Sequence, residues 1–219
     1  MITVALVLAA GRSRRMGQPK AWLTLDGEPL LGRVLRSALA GGVDQVVVVV
    51  GAEEGPAGLV TAKEVRAWLA ASDRGDDARL RLAVGRPDGA PIDSIRAGLG
   101  LVPPGAAVLL WPVDQPFADA ALVRSMRRAL HDGAGRVVVP AVNGEDAHPV
   151  LLGPEVVAEL QAPPADRGAR AVTHRLADRI LRIPATDPRL IEPLNTPAQA
   201  TKMGARLDPD TPSGTPRAV

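Results

Sequence analysis

The sequence has 219 residues, of which 46% are hydrophobic and 23% charged, with 26 basic against 24 acidic side chains. This composition is typical of one globular domain with, at most, a short appendage. The absence of cysteine excludes disulfide frameworks, thiolate-bound zinc, iron–sulfur clusters and a cysteine nucleophile. Aromatic residues make up only 2%, so the basic and aromatic surface of a single-strand nucleic-acid binder is not expected.

The N-terminal segment does not have the pattern of an export signal. Its apolar residues come first and its arginines follow, which is the reverse of the order in a secretory signal peptide. No uncharged stretch approaches the ~20 residues that a membrane span needs. We therefore expect a cytoplasmic protein that has neither a membrane nor a nucleic acid as partner.

Apolar runs typical of buried strands alternate with segments of helical periodicity. In chain order, strands are predicted at 2–8, 45–50, 80–84, 106–111, 137–140, 150–152 and 180–183, and helices at 29–40, 61–71, 92–101, 119–131, 154–160 and 169–176. This alternation predicts an α/β fold, a three-layer sandwich with a mostly parallel sheet. One domain is predicted over residues 1–203. Residues 204–219, which end in a segment rich in proline, threonine, serine and glycine, are predicted to be a disordered tail.

The turn after the first predicted strand carries the strongest chemical signal, because ligands of open α/β sheets bind outside the carboxyl ends of strands. Residues 8–20 are Leu-Ala-Ala-Gly-Arg-Ser-Arg-Arg-Met-Gly-Gln-Pro-Lys. The two glycines allow close backbone approach, and the four cationic side chains suit a triphosphate. This stretch lacks both the Walker A pattern and the dinucleotide-binding fingerprint. An exposed basic loop without a ligand is the alternative.

A second candidate position follows the predicted strand at 106–111. Asp114 stands between Pro112 and Pro116, which restrict the backbone and would hold the carboxylate at the ligand edge of the sheet. Mg²⁺ takes one or two carboxylates and completes its shell with phosphates and water, so Asp114 is a candidate Mg²⁺ ligand. A turn-forming aspartate is the structural alternative.

Residues 8–20 resemble the signature Leu-Ala-Ala-Gly-x-Ser-x-Arg-Met-Gly-x-x-Lys of the MobA-like NTP transferases. The branch that the sequence resembles most is that of the molybdenum cofactor cytidylyltransferases. Four further segments resemble this branch in the same order along the chain, at residues 94–99, 114–117, 148–151 and 166–170. The resemblance covers roughly residues 2–200.

The resemblance implies a nucleotide-diphospho-sugar-transferase-like, Rossmann-like fold. It also implies Mg²⁺-assisted transfer of a nucleotidyl group from an NTP to a phosphorylated small molecule such as molybdopterin cofactor, with release of pyrophosphate. The implied catalytic residues are Lys20, Arg15 and Asp114. The implied nucleotide-binding residues are Leu8, Ala9, Ala10, Gly11, Arg12, Gly17, Lys20 and Ser94. Asp114 and Asn195 would hold the metal, and His148 and Arg170 would bind the acceptor.

Three positions bear on the metal site and the substrates. Asn195 lies in Pro-Leu-Asn-Thr-Pro, where the cytidylyl branch usually carries Asp-Ile-Asp-Thr-Pro, so one metal ligand is neutral. Ala10, where the guanylyl branch usually has a second glycine, favours CTP as donor. Asp93 would repel an anionic pterin phosphate if it lay near the acceptor.

Three functional hypotheses therefore stay open. The first is cytidylyl transfer to molybdopterin cofactor, with a molybdoenzyme or another client protein as a partner. The second is nucleotidyl transfer to another sugar or cofactor phosphate. The third is a non-catalytic nucleotide-binding regulatory protein, a hypothesis based on the neutral side chain of Asn195.

Overall fold

The computed structural model describes residues 1–55, 58–72, 74–75, 77–133, 135–162 and 179–206. Within these ranges the main sheet has eight strands, β1 (Thr3–Leu8), β4 (Gln45–Val50), β5 (Leu80–Val84), β6 (Ala107–Pro112), β7 (Val137–Val142), β8 (Glu145–Asp146), β9 (Val150–Leu152) and β10 (Ile180–Pro184). Seven of them lie in the order β10-β7-β9-β6-β1-β4-β5, and β8 pairs with β7 at the side.

Most neighbours in this sheet run parallel. β1 pairs in parallel with β4 and β6, β4 with β5, and β7 with β10. β9 runs antiparallel to β6 and β7, and β8 runs antiparallel to β7. The prediction of a mostly parallel sheet is confirmed. Because β1 lies between β4 and β6, the loop that follows it emerges near the centre of the carboxyl edge.

The sheet separates two hydrophobic cores, because successive side chains of a strand point to opposite faces. β1 sends Ala5 and Val7 into one core, and Val4 and Leu6 into the other. The first core is covered by α1 (Leu30–Ala40), α2 (Ala62–Ala70) and α4 (Ala120–His131), and the second by α3 (Pro91–Leu99) and α5 (Pro154–Gln161). The predicted three-layer sandwich is confirmed. Strands buried on both faces explain the continuous valine and leucine runs of the sequence.

The second core depends on a close approach between α3 and the sheet. A Cβ at Gly98 would lie 2.3 Å from Leu6 Cδ1 and 2.7 Å from Val49 Cγ2. Real Cβ atoms do not come this close to a neighbour, so only glycine lets the helix lie this near to β1 and β4. This contact holds the C-terminal turn of α3 against β1 and β4.

A second, smaller sheet corrects the predicted domain boundary. It consists of β2 (Thr24–Leu25), β3 (Glu28–Pro29) and β11 (Ala205–Arg206), in the antiparallel order β11-β2-β3. The predicted tail was to begin at residue 204, yet Ala205 is buried and pairs with Leu25. The prediction was wrong for residues 204–206, because pairing with a distant strand leaves no local signal. Residues 207–219 and the helix predicted at 169–176 lie outside the described residues.

Three of the described helices begin at an N-cap side chain that accepts a hydrogen bond from a free backbone amide. Asp119 Oδ1 accepts from Leu122 N at 2.8 Å at the start of α4. Thr61 and Glu64 cap the start of α2 reciprocally, with Thr61 N donating to Glu64 Oε2 at 2.8 Å. The last helix, α6 (Pro197–Lys202), starts at Thr196. None of the helices in the described ranges is long and apolar enough to cross a lipid bilayer.

Candidate active site

The loop between residues 9 and 19, here called the glycine loop, lies on the carboxyl edge of the central strands. At its start, Ala9 N donates to Val49 O at 2.8 Å, which ties it to the end of β4. On the other side, Val113 N donates to Leu8 O at 3.1 Å, which ties the segment after β6 to the end of β1. These two bonds place the loop and Asp114 side by side at the edge where α/β proteins bind ligands.

The glycine loop is closed by its own hydrogen bonds. Ser13 has a φ of 48°, and its carbonyl accepts from Met16 N at 2.8 Å and from Gly17 N at 3.2 Å. Gly17 then turns the chain with a φ of +77°, a conformation that favours glycine. The Ser13 hydroxyl accepts from Lys20 N at 3.2 Å, and the buried Met16 side chain anchors the loop in the core. The loop is therefore preformed around Ser13.

Three side chains from distant parts of the sequence meet at the end of this loop. Lys20 Nζ donates to Asp114 Oδ2 at 2.7 Å and to Asn195 Oδ1 at 2.6 Å. The Lys20 and Asp114 side chains are only 16% and 19% exposed. We call this group the lysine cluster. It brings together three of the residues that the sequence predicted for catalysis and metal binding.

The backbone around the lysine cluster is held by further hydrogen bonds. Asp114 O accepts from Leu194 N at 2.9 Å, which joins the segment after β6 to the segment before α6. Asn195 N donates to Gln199 Oε1 at 3.0 Å. Sequence reasoning missed Gln199, although Thr196 followed three residues later by glutamine is the pattern of a helix-capping box. Hydrogen bonds therefore hold the backbone that carries the Asp114 and Asn195 side chains in place.

A cavity of about 90 Å³ opens between the glycine loop and the lysine cluster. Five residues predicted to bind nucleotide or to act in catalysis line it together with three others; the full lining is Leu8, Ala9, Gly11, Ser13, Lys20, Ala21, Val113 and Asp114. Ala10, predicted beside them, instead buries its methyl group in the core under α3. The cavity combines loop backbone, one ammonium and one carboxylate.

The arginines of the loop are placed differently from Lys20. The Arg12 guanidinium pairs with Asp88, in the loop between β5 and α3, and Arg14 Nη2 lies 3.4 Å from the same carboxylate. The hydrogen bond from Arg12 holds the pKa of Asp88 below its ordinary value. Sequence reasoning missed Asp88, since no local pattern marks it. Arg15 is exposed and has no hydrogen bond or ion pair to any residue that the structure describes.

Ser94 and Asp93, at the start of α3, both accept hydrogen bonds from nearby backbone amides. Ser94 is buried, and its hydroxyl accepts from Arg86 N at 3.1 Å. It therefore shapes the loop after β5 and does not line the cavity. Asp93 Oδ2 accepts from Ala90 N at 3.0 Å and caps the helix. Its carboxylate is committed to that cap.

His148 lies beside the end of β6. Its Nδ1 atom is buried and has no hydrogen-bond partner among the described residues. Burial lowers the pKa of His148, against the opposing effects of a hydrogen bond to the Leu110 backbone and of the charge of Asp114. The imidazole is therefore neutral at physiological pH. Arg170, the other predicted acceptor-binding residue, lies outside the described residues.

The lysine cluster has the oxygen ligands that a divalent cation of the Mg²⁺ class prefers. Asp114 offers a carboxylate and Asn195 an amide oxygen, and both point to the same position, that of Lys20 Nζ. Among the residues that the structure describes, no three histidine, cysteine, aspartate or glutamate side chains converge on a metal-sized position. These two residues fit a cation that takes its remaining ligands from phosphate and water, as Mg²⁺ commonly does.

A family model of the MobA-like NTP transferase domain matches residues 5–180. The chain belongs to this family. Its relatives include the 2-C-methyl-D-erythritol 4-phosphate cytidylyltransferase of Saccharopolyspora erythraea, which is 34% identical over 145 residues, 63% of this chain and 59% of that protein. The probable molybdenum cofactor guanylyltransferase of Opitutus terrae is 34% identical over 134 residues, 60% of this chain and 57% of that protein. The chain thus spans less than two thirds of the length of either relative.

Membership of the MobA-like NTP transferase family agrees with the fold. The crystal structure of Rv0371c from Mycobacterium tuberculosis superimposes with a TM-score of 0.72 at 22% identity, covering 93% of this chain and 97% of that one. At this identity the likeness establishes the fold alone. The family and the fold that the sequence predicted are both confirmed.

Proposed function

We propose that this MobA-like protein transfers a nucleotidyl group from a nucleoside triphosphate to the phosphate of a small molecule and releases pyrophosphate. One observation carries the proposal. The lysine cluster lies directly against the preformed glycine loop, at the carboxyl ends of β1 and β6. A cation, a carboxylate and an amide oxygen beside open backbone are what the handling of a triphosphate requires.

The reaction requires the protein to position its two substrates and to neutralise the negative charge of their phosphates. An oxygen of the acceptor phosphate attacks the α-phosphorus, the bond to the bridging oxygen breaks, and pyrophosphate leaves with the electron pair. Backbone of the glycine loop and the exposed Arg15 would bind the triphosphate, and the Lys20 ammonium would stabilise charge that builds on its oxygens. Asp114 and Asn195 would hold Mg²⁺, which when bound neutralises charge on the phosphates.

CTP is the proposed donor, with a sugar phosphate or molybdopterin as the acceptor. Support for CTP comes from Ala10, which replaces the second glycine of the guanylyl branch, and from the cytidylyltransferase relative. The probable guanylyltransferase relative supports a molybdenum cofactor acceptor but also makes GTP the competing donor. A molybdoenzyme client belongs to the proposal only if the acceptor is that cofactor.

The experiment is a matrix of pyrophosphate release. CTP, GTP, ATP and UTP are each tested with Mg²⁺ against molybdopterin, 2-C-methyl-D-erythritol 4-phosphate and a panel of sugar phosphates. We expect release with CTP and one acceptor class. Thermal shift with each nucleotide provides a measure of binding that is independent of turnover, since a ligand stabilises in proportion to the logarithm of its excess over Kd. Binding without turnover for every acceptor would favour the regulatory alternative, and no binding at all would refute the proposal.

A further inference from the structure

We propose that the Lys20 ammonium and a divalent cation compete for the same two oxygens, so that the protein admits the cation at Asp114 and Asn195 only when an anionic ligand draws the lysine away. Lys20 then links the two ligands and orders their uptake, with the triphosphate before or together with the cation. This inference rests on the proposed function for the identity of the anion, although the competition itself does not.

The geometry makes the competition direct. Lys20 Nζ lies 2.7 Å from Asp114 Oδ2 and 2.6 Å from Asn195 Oδ1, within hydrogen-bond distance of both oxygens. A Mg²⁺ ion held by the same two oxygens would need the place that Nζ occupies. An ammonium and a divalent cation cannot share one position, because they would overlap and repel. The ion and the lysine therefore exclude each other.

The lysine is the part of this cluster that can move. The Asp114 backbone is held by Leu194 N, and the Asn195 backbone is held by the Gln199 side chain. The Lys20 backbone is fixed as well, with its amide on Ser13 Oγ and its carbonyl accepting from Leu23 N at 3.0 Å. What remains is the four-carbon stem of Lys20, which has several rotatable bonds. Releasing the two oxygens thus needs only a rotation of one side chain.

The cavity supplies the place to which the ammonium would move. Lys20 lines it together with Gly11 and Ser13 of the glycine loop, so a phosphate held by the loop would lie within reach of Nζ. A triphosphate carries more negative charge than the single carboxylate of Asp114 and so competes for the ammonium. Once Lys20 has turned, Asp114 and Asn195 have no cationic partner among the described residues. By linkage, any anion that favours the turned lysine strengthens cation binding, and the cation strengthens anion binding by the same factor.

Because the Lys20–Asp114 pair is buried, binding of the anion and binding of the cation are strongly coupled. Lys20 and Asp114 are both largely shielded from water, so neither charge is well compensated by solvent when its partner leaves. Withdrawal of the lysine without a replacement cation leaves an uncompensated carboxylate. Withdrawal with a cation at hand does not. The two binding events are therefore favoured together and disfavoured separately.

The first test measures cation binding without any nucleotide. Mn²⁺ serves as the probe, because free Mn²⁺ is counted directly by electron paramagnetic resonance. The full chain is compared with Lys20→Met and with Arg15→Met, which removes an equal charge from the adjacent glycine loop without touching the two oxygens. We expect Lys20→Met to raise Mn²⁺ affinity by about tenfold, within the usual range for coupled sites. Arg15→Met should change it much less.

Two further variants make the Mn²⁺ result specific. The gain should vanish in the double variant Lys20→Met, Asp114→Asn, since the oxygens must be those of the lysine cluster. Lys20→Gln is used if Lys20→Met does not melt cooperatively. An unchanged Mn²⁺ affinity in the folded Lys20 variants, or an equal gain in Arg15→Met, would overturn the proposal.

The second test measures nucleotide binding with the cation removed by chelator. Asp114→Asn should then bind CTP more tightly than the unaltered chain, because Lys20 no longer has to leave a carboxylate. Part of this gain would come from relieved repulsion between carboxylate and triphosphate. A double-mutant cycle that combines Asp114→Asn with Lys20→Met separates release of the lysine from relief of the repulsion. Most of the gain should disappear in the Lys20→Met background, and a gain of equal size there would refute the role of the lysine.

The two tests separate failure of the inference from failure of the proposed function. If no variant binds any nucleotide while Lys20→Met still gains Mn²⁺ affinity, the competition stands and the triphosphate is the wrong anion. If nucleotide binds and turns over but the Mn²⁺ affinities do not differ, the proposed function stands and the competition is refuted.

Discussion

Two ion pairs stand at the two ends of the glycine loop. The Arg12–Asp88 pair lies near its beginning and the Lys20–Asp114 pair just after its end, and the two pairs differ in their exposure to water. Arg12 pairs with Asp88 at the surface, where the two side chains are 36% and 57% exposed. Lys20 pairs with Asp114 inside the carboxyl edge of the sheet, where the side chains are 16% and 19% exposed. Both pairs join the loop to a segment that follows another strand of the same sheet.

The difference in exposure predicts a difference in function. Charges at the surface are screened by water and salt, so the Arg12–Asp88 pair can open and close at little cost. Charges shielded from water depend on their partners, and removal of one partner leaves the other uncompensated. Chemistry that needs a strong local field is therefore expected at the Lys20 end of the loop. The Arg12 end is expected to adjust when a ligand enters.

The largest effect is expected from Asp114→Asn. Asparagine keeps the shape of the side chain but removes the only carboxylate of the lysine cluster, and Asn195 is already neutral. We expect Mg²⁺-dependent pyrophosphate release to fall by about 10²–10³-fold, the usual cost of losing one group that stabilises transition-state charge. Circular dichroism serves as the folding control. Normal turnover with an unshifted Mg²⁺ dependence would show that Asp114 does not bind the metal.

Next in size is the contrast between Lys20→Ala and Lys202→Ala. Both remove one lysine, but Lys202 is 67% exposed and pairs with Glu192 at 3.2 Å, away from the lysine cluster. Loss of a hydrogen bond to a charged group costs about 1.5–3 kcal/mol, so Lys20→Ala should weaken nucleotide binding by roughly ten- to a hundredfold. Lys202→Ala should leave it unchanged. Calorimetric titration measures the nucleotide affinity of both variants, and equal affinities would show that Lys20 does not bind the nucleotide.

A smaller effect is expected from His148, beside the shielded pair. Burial lowers its pKa in the folded protein below the ordinary value of 6.5. Between that value and the folded pKa the unfolded chain binds more protons, so stability falls as the pH drops below 6.5 and levels off below the folded pKa. Urea unfolding from pH 8 to pH 5 should show this loss, and His148→Gln should reduce it. An equal slope in both proteins would contradict the burial argument.

The smallest effect is expected at the surface pair. Asp88→Asn should leave the melting temperature at neutral pH unchanged within error, at low and at high salt, because exposed ion pairs contribute little to stability. Nucleotide affinity should not fall, since Arg12 is released from its partner. Thermal unfolding and calorimetric titration are the measurements. A marked drop in either would mean that the Arg12–Asp88 contact holds the glycine loop in its binding conformation, and the contrast between the two ends of the loop would be lost.

Local sequence patterns were sufficient to predict the strands and helices that form the layers. β1 after Thr3 and β4 after Gln45 are apolar at each position because both faces of these strands are buried, and this pattern needs no knowledge of the neighbouring strands. The glycines of residues 8–20 and the prolines around Asp114 likewise act through their own backbone limits. These features predicted the sandwich, the loop and the ligand edge.

The partners of the side chains were decided by the tertiary structure. Lys20 meets Asp114 and Asn195 across 94 and 175 positions of the chain. Arg12, which was predicted to bind nucleotide, pairs with Asp88, 76 positions away. Ser94 turned inward to Arg86, and Ala205 joined a strand that begins at residue 24. Such contacts depend on the order of the strands, because this order decides which strand ends lie next to each other. The strand order follows from the packing of both hydrophobic cores at once. No local stretch of sequence encodes that packing.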